Sequence, residues 1–94
     1  MKHFEWDEAK NKRLRAEREI SFEDIATAIK EGHLVKTTDH PNKDRYPNQR
    51  MFIVEIDNYI YLVPFVEDDE KVFLKTIIPS RKATKEYLEG RRKK

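Results

Sequence analysis

The sequence predicts an α+β domain in the order strand, helix, helix, antiparallel meander, helix, with the helices packed against one face of a mainly antiparallel sheet. Three observations carry this. Residues 8–31 hold two capped helical patterns, residues 50–78 hold three strand-like apolar runs divided by turn signals, and Ser80 opens a last apolar repeat.

Taken in order, Lys2–Trp6 alternates polar and aromatic residues, a short strand presenting Phe4 and Trp6 to a core. Asp7 can cap a helix over Glu8–Arg18, whose only apolar residues are Ala9, Leu14 and Ala16. Such a helix lies on the surface with Lys10, Lys12, Arg13, Arg15 and Arg18 solvated. The next helix is better signed. Ser21 and Asp24 have capping-box spacing, Ile20 and Ile25 that of a hydrophobic staple, and Phe22, Ile25, Ala26 and Ile29 share one face. Gly32 ends it, because glycine takes the left-handed C′ conformation without strain.

Leu34–Thr38 reads as a short marginal strand. The stretch DHPNKDRYPNQR, residues 39–50, then separates it from Arg50–Asp57, where Phe52, Val54 and Ile56 fall on one face. Asp57-Asn58 is a two-residue turn into Tyr59–Val66, and Val72–Ile78 returns through the acidic VEDDEK turn. Pro64 lacks an amide hydrogen, so its strand needs a bulge or an exposed edge there. Beyond Ser80, the pairs Ala83/Tyr87 and Thr84/Leu88 repeat at helical spacing.

Leu, Ile, Val and Phe make up 23 of 94 residues, above the roughly 20% floor of chains that stay disordered. The expected organisation is one domain over 1–90 and a disordered basic tail over 91–94. Residues 80–94 carry seven basic and two acidic side chains, the remainder 13 and 16, so a basic end sits on a mildly acidic body. The absence of cysteine excludes disulfides and thiolate metal sites and fits a reducing cytoplasm. The polar start does not read as a signal peptide and no run approaches a membrane span, so no membrane partner is expected.

The three histidines, His3, His33 and His40, lack metal-ligand spacing, and two glycines in the whole chain leave no phosphate loop. Neither a metal nor a cofactor is expected. What remains is Arg, Lys, Tyr and His at strand ends, a set suited to phosphodiester chemistry. Guanidinium grips phosphate in a planar fork, fixed cations stabilise the growing charge, and RNA brings its own 2′-hydroxyl nucleophile. Candidates are His40, Arg45 and Tyr46 in the long loop, Arg50 opening a strand, Lys75 inside an apolar one, and Arg81 and Lys82 at a helix start. Each also has a plain reading as solvated surface. The loop exceeds the two to five residues typical of hairpins, and long ordered loops are usually functional.

FEWDEAKN at 4–11, ISFEDI at 20–25 and IIPSRKATKEYL at 77–88 resemble, in that order and spacing, the BrnT family of toxins from bacterial type II toxin–antitoxin systems. The resemblance implies a fold similar to RelE-type ribonucleases, cleavage of messenger RNA, and a cognate antitoxin, often of ribbon-helix-helix type, that neutralises the toxin as a hetero-oligomer; that the cleavage needs no metal is the reading of the residues above. Carried over by position, basic site residues fall on Arg50 and Arg81, with His40 or Tyr46 left for proton transfer and Arg45, Lys75, Lys82 and Lys10 for RNA. Lys10 and Glu23 match motif positions. Two departures stand out: the family's Lys-His-Gly is replaced by Glu17, Arg18 and Glu19, and its strand arginine by Thr76. Two other readings stay open: a toxin-fold interaction domain without chemistry, and a nucleic-acid-binding module resting on the basic tail.

Overall fold

The computed structural model describes residues 2–89, so the tail 91–94, expected to be disordered, lies outside the described residues. In chain order come β1 (His3–Glu5), α1 (Glu8–Arg18), α2 (Phe22–Lys30), β2 (Leu34–Asp39), β3 (Arg50–Ile56), β4 (Tyr59–Glu67), β5 (Lys71–Leu74), β6 (Ile78–Pro79) and α3 (Arg81–Thr84), which runs on as a π-helical turn over Lys85–Glu89. The strand order is β1-β5-β4-β3-β2, with β6 also on β4. All pairings are antiparallel except β1 with β5. The predicted α+β class is the observed one.

The expected strand Val72–Ile78 is two strands, and Pro64 is the reason. Phe65 pairs with Leu74, so an unbroken ladder sets Pro64 against Lys75. Half of that pair forms, with the Lys75 amide donating to the Pro64 carbonyl at 2.8 Å. The other half has no donor, since proline has no N–H. The register then slips, and Leu62 pairs with Ile78. Thr76 and Ile77 therefore oppose the single residue Val63, which is the count of a β-bulge. The bulge lies on the partner of the proline strand.

Alternation along β3 and β4 sorts the core into two layers. Phe52, Val54, Val63 and Phe65 pack with Leu14 of α1 and with Ile20, Phe22, Ile25 and Ala28 at α2. Ile53 and Ile60, of opposite parity, pack with Ala83 and Leu88 of the last helix. The helices thus cover both faces, and the expectation of one covered face is corrected. Its physical cause is apolar parity: Met51, Ile53, Ile60 and Leu62 make the second face too apolar to leave in water.

Local signals act as expected. The Asp7 carboxylate accepts from the Ala9 and Lys10 amides, and the Ser21–Asp24 capping box is complete. Gly32, at φ 91°, closes α2. Its amide donates to Ile29 and that of His33 to Ala28, which is the Schellman pattern. Asp57 and Asn58 have φ of 52° and 63°, the two positive values a type I′ hairpin turn requires.

One buried polar residue joins the two helices. Asn11 is 1% exposed; its Oδ1 accepts from the Phe22 amide at 2.7 Å, and its Nδ2 donates to Glu23 Oε1 at 2.8 Å. Phe22 opens α2, so Asn11 satisfies an amide that the helix itself leaves orphaned. The Asn11 bond is also the largest reason the Glu23 carboxyl titrates below its ordinary range, with Arg15 adding a smaller pull.

Asn11→Ala is expected to cost about 2 kcal/mol of stability by leaving the Phe22 amide buried without an acceptor. Lys12→Ala should stay within about 0.5 kcal/mol. Urea midpoints read both, and equal midpoints would remove the junction role. A pH effect follows from Glu23. Its folded value is depressed, so its contribution is complete above the unfolded value of about 4.3 and is lost as pH falls through the lower folded value. Glu23→Gln should flatten the acid side of the stability profile in that window.

Candidate active site

The bulge creates a cleft. Lys10, Leu14 and Arg18 stand at i, i+4 and i+8 on α1, hence on one stripe of the helix. Lys10 Nζ donates to the Lys75 carbonyl at 3.1 Å, the acceptor that Pro64 cannot serve, and Arg18 Nη1 donates to the Ile77 carbonyl at 3.1 Å. These two cations bracket Thr76. With Arg13 and Glu17 they line a hollow of 240 Å³ whose wall on the strand side is Thr76. Three cations and one carboxylate thus face one small space. Arg13 and Glu17 are exposed and make no ion pair among the described residues.

The residues singled out from sequence fall in several places. Arg50 shares the parity of Phe52, so its side chain lies on the α1–α2 face, 3.7 Å from Glu67, which also pairs with Lys2 at 2.8 Å. Arg81 opens α3 on the other face, beside Ile60. Along β4, Phe65 opposite Arg50 and Ile60 beside Arg81 are five residues apart, about 17 Å. The two arginines therefore do not close on one phosphate. The parity of β3 and the length of β4 separate them.

His40, Arg45 and Tyr46 do come together. The His40 and Tyr46 rings meet at a tilt of 41° with centres 4.6 Å apart, and the Arg45 guanidinium lies 5.6 Å from the Tyr46 ring centre. Asn42 organises the loop, taking the Tyr46 amide on its carbonyl and the Arg45 amide on Oδ1. Lys75 stays on the Phe73 face, its ammonium 5.4 Å from that ring. The bulge begins one residue after it, so Thr76 and not Lys75 enters the α1 cleft. Lys82 is exposed on α3.

The Ser80–Thr84 run has its own local logic. Ser80 Oγ accepts from the Ala83 amide, Ala83 is buried, and Thr84 Oγ1 accepts from the Ile60 amide at 2.9 Å while donating to the Ser80 carbonyl. The Ser80 amide donates to the Ile60 carbonyl. Both polar backbone groups of Ile60 are thereby satisfied by the helix start. A single α turn before the π-helical stretch gives little macrodipole, so the expected dipole contribution at Arg81 and Lys82 is small.

A further hollow, of 520 Å³, is ill suited to an anion. Glu19, Asp24, Glu31, Glu55 and Asp57 line it, and burial, then Asp57, Tyr59 and Asp24, push the Tyr61 phenol up. Among the described residues no group of His, Asp or Glu is placed to hold a metal, and no helix is long and apolar enough to cross a membrane.

Fold and clefts together define a small α+β protein with a basic cleft at a bulged strand. The family described as ribonuclease toxin, BrnT, of type II toxin-antitoxin system matches residues 6–86, and the chain belongs to that family. An antitoxin partner and an RNA target go with it. No curated relative and no solved structure matches the chain.

Sequence reasoning missed Asn11, Arg13, Glu17 and Thr84. A signal for the cleft existed, because the departures at Glu17, Arg18 and Thr76 map to it. Thr84→Val is expected to cost about 1–3 kcal/mol through the unsatisfied Ile60 amide. Thermal unfolding checks it, and an unchanged midpoint would mean that another acceptor replaces the hydroxyl.

Proposed function

We propose that this chain is an active endoribonuclease toxin that cuts messenger RNA without a metal at the cleft between α1 and the bulge. The single observation that supports this is the convergence of Lys10, Arg13, Arg18 and Glu17 around Thr76. Lys10, Arg13 and Arg18 hold the non-bridging oxygens and stabilise the charge that builds on them. The RNA 2′-oxygen attacks phosphorus and gives its proton to the Glu17 carboxylate. The bond to the 5′-oxygen breaks, that oxygen takes a proton from the Lys10 ammonium or from water, and a 2′,3′-cyclic phosphate remains. A cognate antitoxin of ribbon-helix-helix type, acting in the cytoplasm, neutralises the toxin in a hetero-oligomer by covering these cations.

Arg13→Ala and Glu17→Gln should each lower RNA cleavage about 100-fold with the fold intact, because neither side chain carries packing. Arg50→Ala, whose guanidinium turns to Glu67 and does not line the cleft, should cleave normally. Cleavage should persist in excess chelator and leave cyclic phosphate ends. Wild-type rates in both cleft variants would discard this site. Loss of cleavage in chelator, restored by a divalent ion, would discard the metal-free mechanism. A chain that folds and binds RNA but never cuts it would favour the binding-module reading.

A further inference from the structure

On the face opposite α1 and α2, a groove of 350 Å³ lies between the loop 40–49 and the last helix. Its volume is at the small end of the 300 to 1,000 Å³ typical of small-molecule sites. Met51, Ile53 and Leu62 of β3 and β4 supply an apolar floor, Pro41 of the loop one wall, and Tyr87 of the helix the other. Lys82 and Glu86, one helical turn apart, stand at its rim. We infer that this groove is a second RNA subsite, which takes one unpaired nucleobase of the strand being cut. The inference rests on the ribonuclease reading above and adds to it the kind of RNA recognised.

Shape and chemistry both favour a base. A flat heterocycle gains by lying against an aromatic ring over apolar surface, and such stacking is tolerant of sequence. The Lys82 ammonium makes no ion pair among the described residues and is free to meet the adjoining phosphate. Glu86 repels phosphate but accepts hydrogen bonds from an exocyclic amino group, as carboxylates do from cytosine N4. The groove therefore prefers an amino-bearing base to uracil. A duplex keeps its bases paired and cannot deliver one to a slot of this size.

The groove is also within reach of the cleavage cleft. The Lys75 amide bonds to the Pro64 carbonyl, and Pro64 pairs with Met51, which lies in the groove floor. Two strand spacings, about 10 Å, thus separate Lys75 from the groove floor in the plane of the sheet, and the α1 cleft opens on the other face at the same sheet edge. The Lys75 ammonium lies on the same face as the groove and makes no ion pair among the described residues. One RNA strand can pass from the α1 cleft, over Lys75, into the slot.

The test is fluorescence anisotropy of the full chain carrying Glu17→Gln, so that bound RNA stays intact, with short oligocytidylate, oligouridylate and a duplex RNA as probes. Oligocytidylate should bind more tightly than oligouridylate. Adding Lys82→Ala or Tyr87→Leu, which keeps an apolar side chain at 87, should weaken single-strand binding roughly tenfold and leave duplex binding unchanged. Unchanged single-strand affinity in both variants, equal losses on single strand and duplex, or no single-strand binding at all would overturn the subsite. If the wild-type chain cleaves RNA yet these variants bind normally, only the subsite fails. If the variants lose binding while the wild type never cleaves, only the cleavage reading fails.

Discussion

The amide hydrogen that Pro64 does not have governs much of this molecule. A proline inside a central strand leaves one ladder acceptor without a donor, and here that acceptor is the Lys75 carbonyl. The chain responds with a one-residue bulge, and α1 responds with Lys10 and Arg18, whose head groups take the carbonyls on either side of Thr76. The bulge also restores pairing in a shifted register, so that Ile78–Pro79 rejoins β4 and Ser80 reaches Ile60. From there the last helix covers the second face. A single missing donor thus links the position of α1, the basic cleft and the course of the C-terminal helix.

The other fixed point is Asn11. A buried amide is costly unless satisfied, and Asn11 meets its needs across both helices: it accepts from Phe22 and donates to Glu23 and Glu8. This sets how α1 lies against α2. Its consequence extends to the cleft, because Arg13, Glu17 and Arg18 are carried on the same helix. Cations held on a helix whose base is pinned in this way need less reordering when a polyanion arrives, which is the practical meaning of a preorganised site.

What the sequence disclosed and what it hid divide along the range of the interactions. Caps at Asp7, Ser21 and Ser80, the Gly32 stop and the Asp57-Asn58 turn are decided within a few residues, and each is where the residues place it. The face covered by the last helix, the partner of Asn11 and the acceptor role of Thr84 depend on residues 11 to 24 positions away, which periodicity does not reach. Pro64 is the instructive case. Its missing donor was legible, but the bulge lies on the neighbouring strand, and only the pairing of Phe65 with Leu74 shows where. The pairing of Arg50 with Arg81 failed for the same reason, since strand parity and distance along β4 cannot be read without the partners.

The departures from the family pattern acquire a physical sense once placed. Glu17, Arg18 and Thr76 are far apart in sequence yet line one hollow. Where the pattern has an arginine on the strand, this chain has a threonine, and where it has Lys-His on the helix, this chain has Glu-Arg. Arg18, together with Lys10 and Arg13, keeps the cleft cationic from the α1 side, while Glu17 introduces a carboxylate beside them. The cleft is thus cationic from the α1 side, with one carboxylate at its edge. That arrangement is coherent with phosphate chemistry, because three cations and one carboxylate stand on one helix, and Lys10 and Arg18 tie that helix to the bulge.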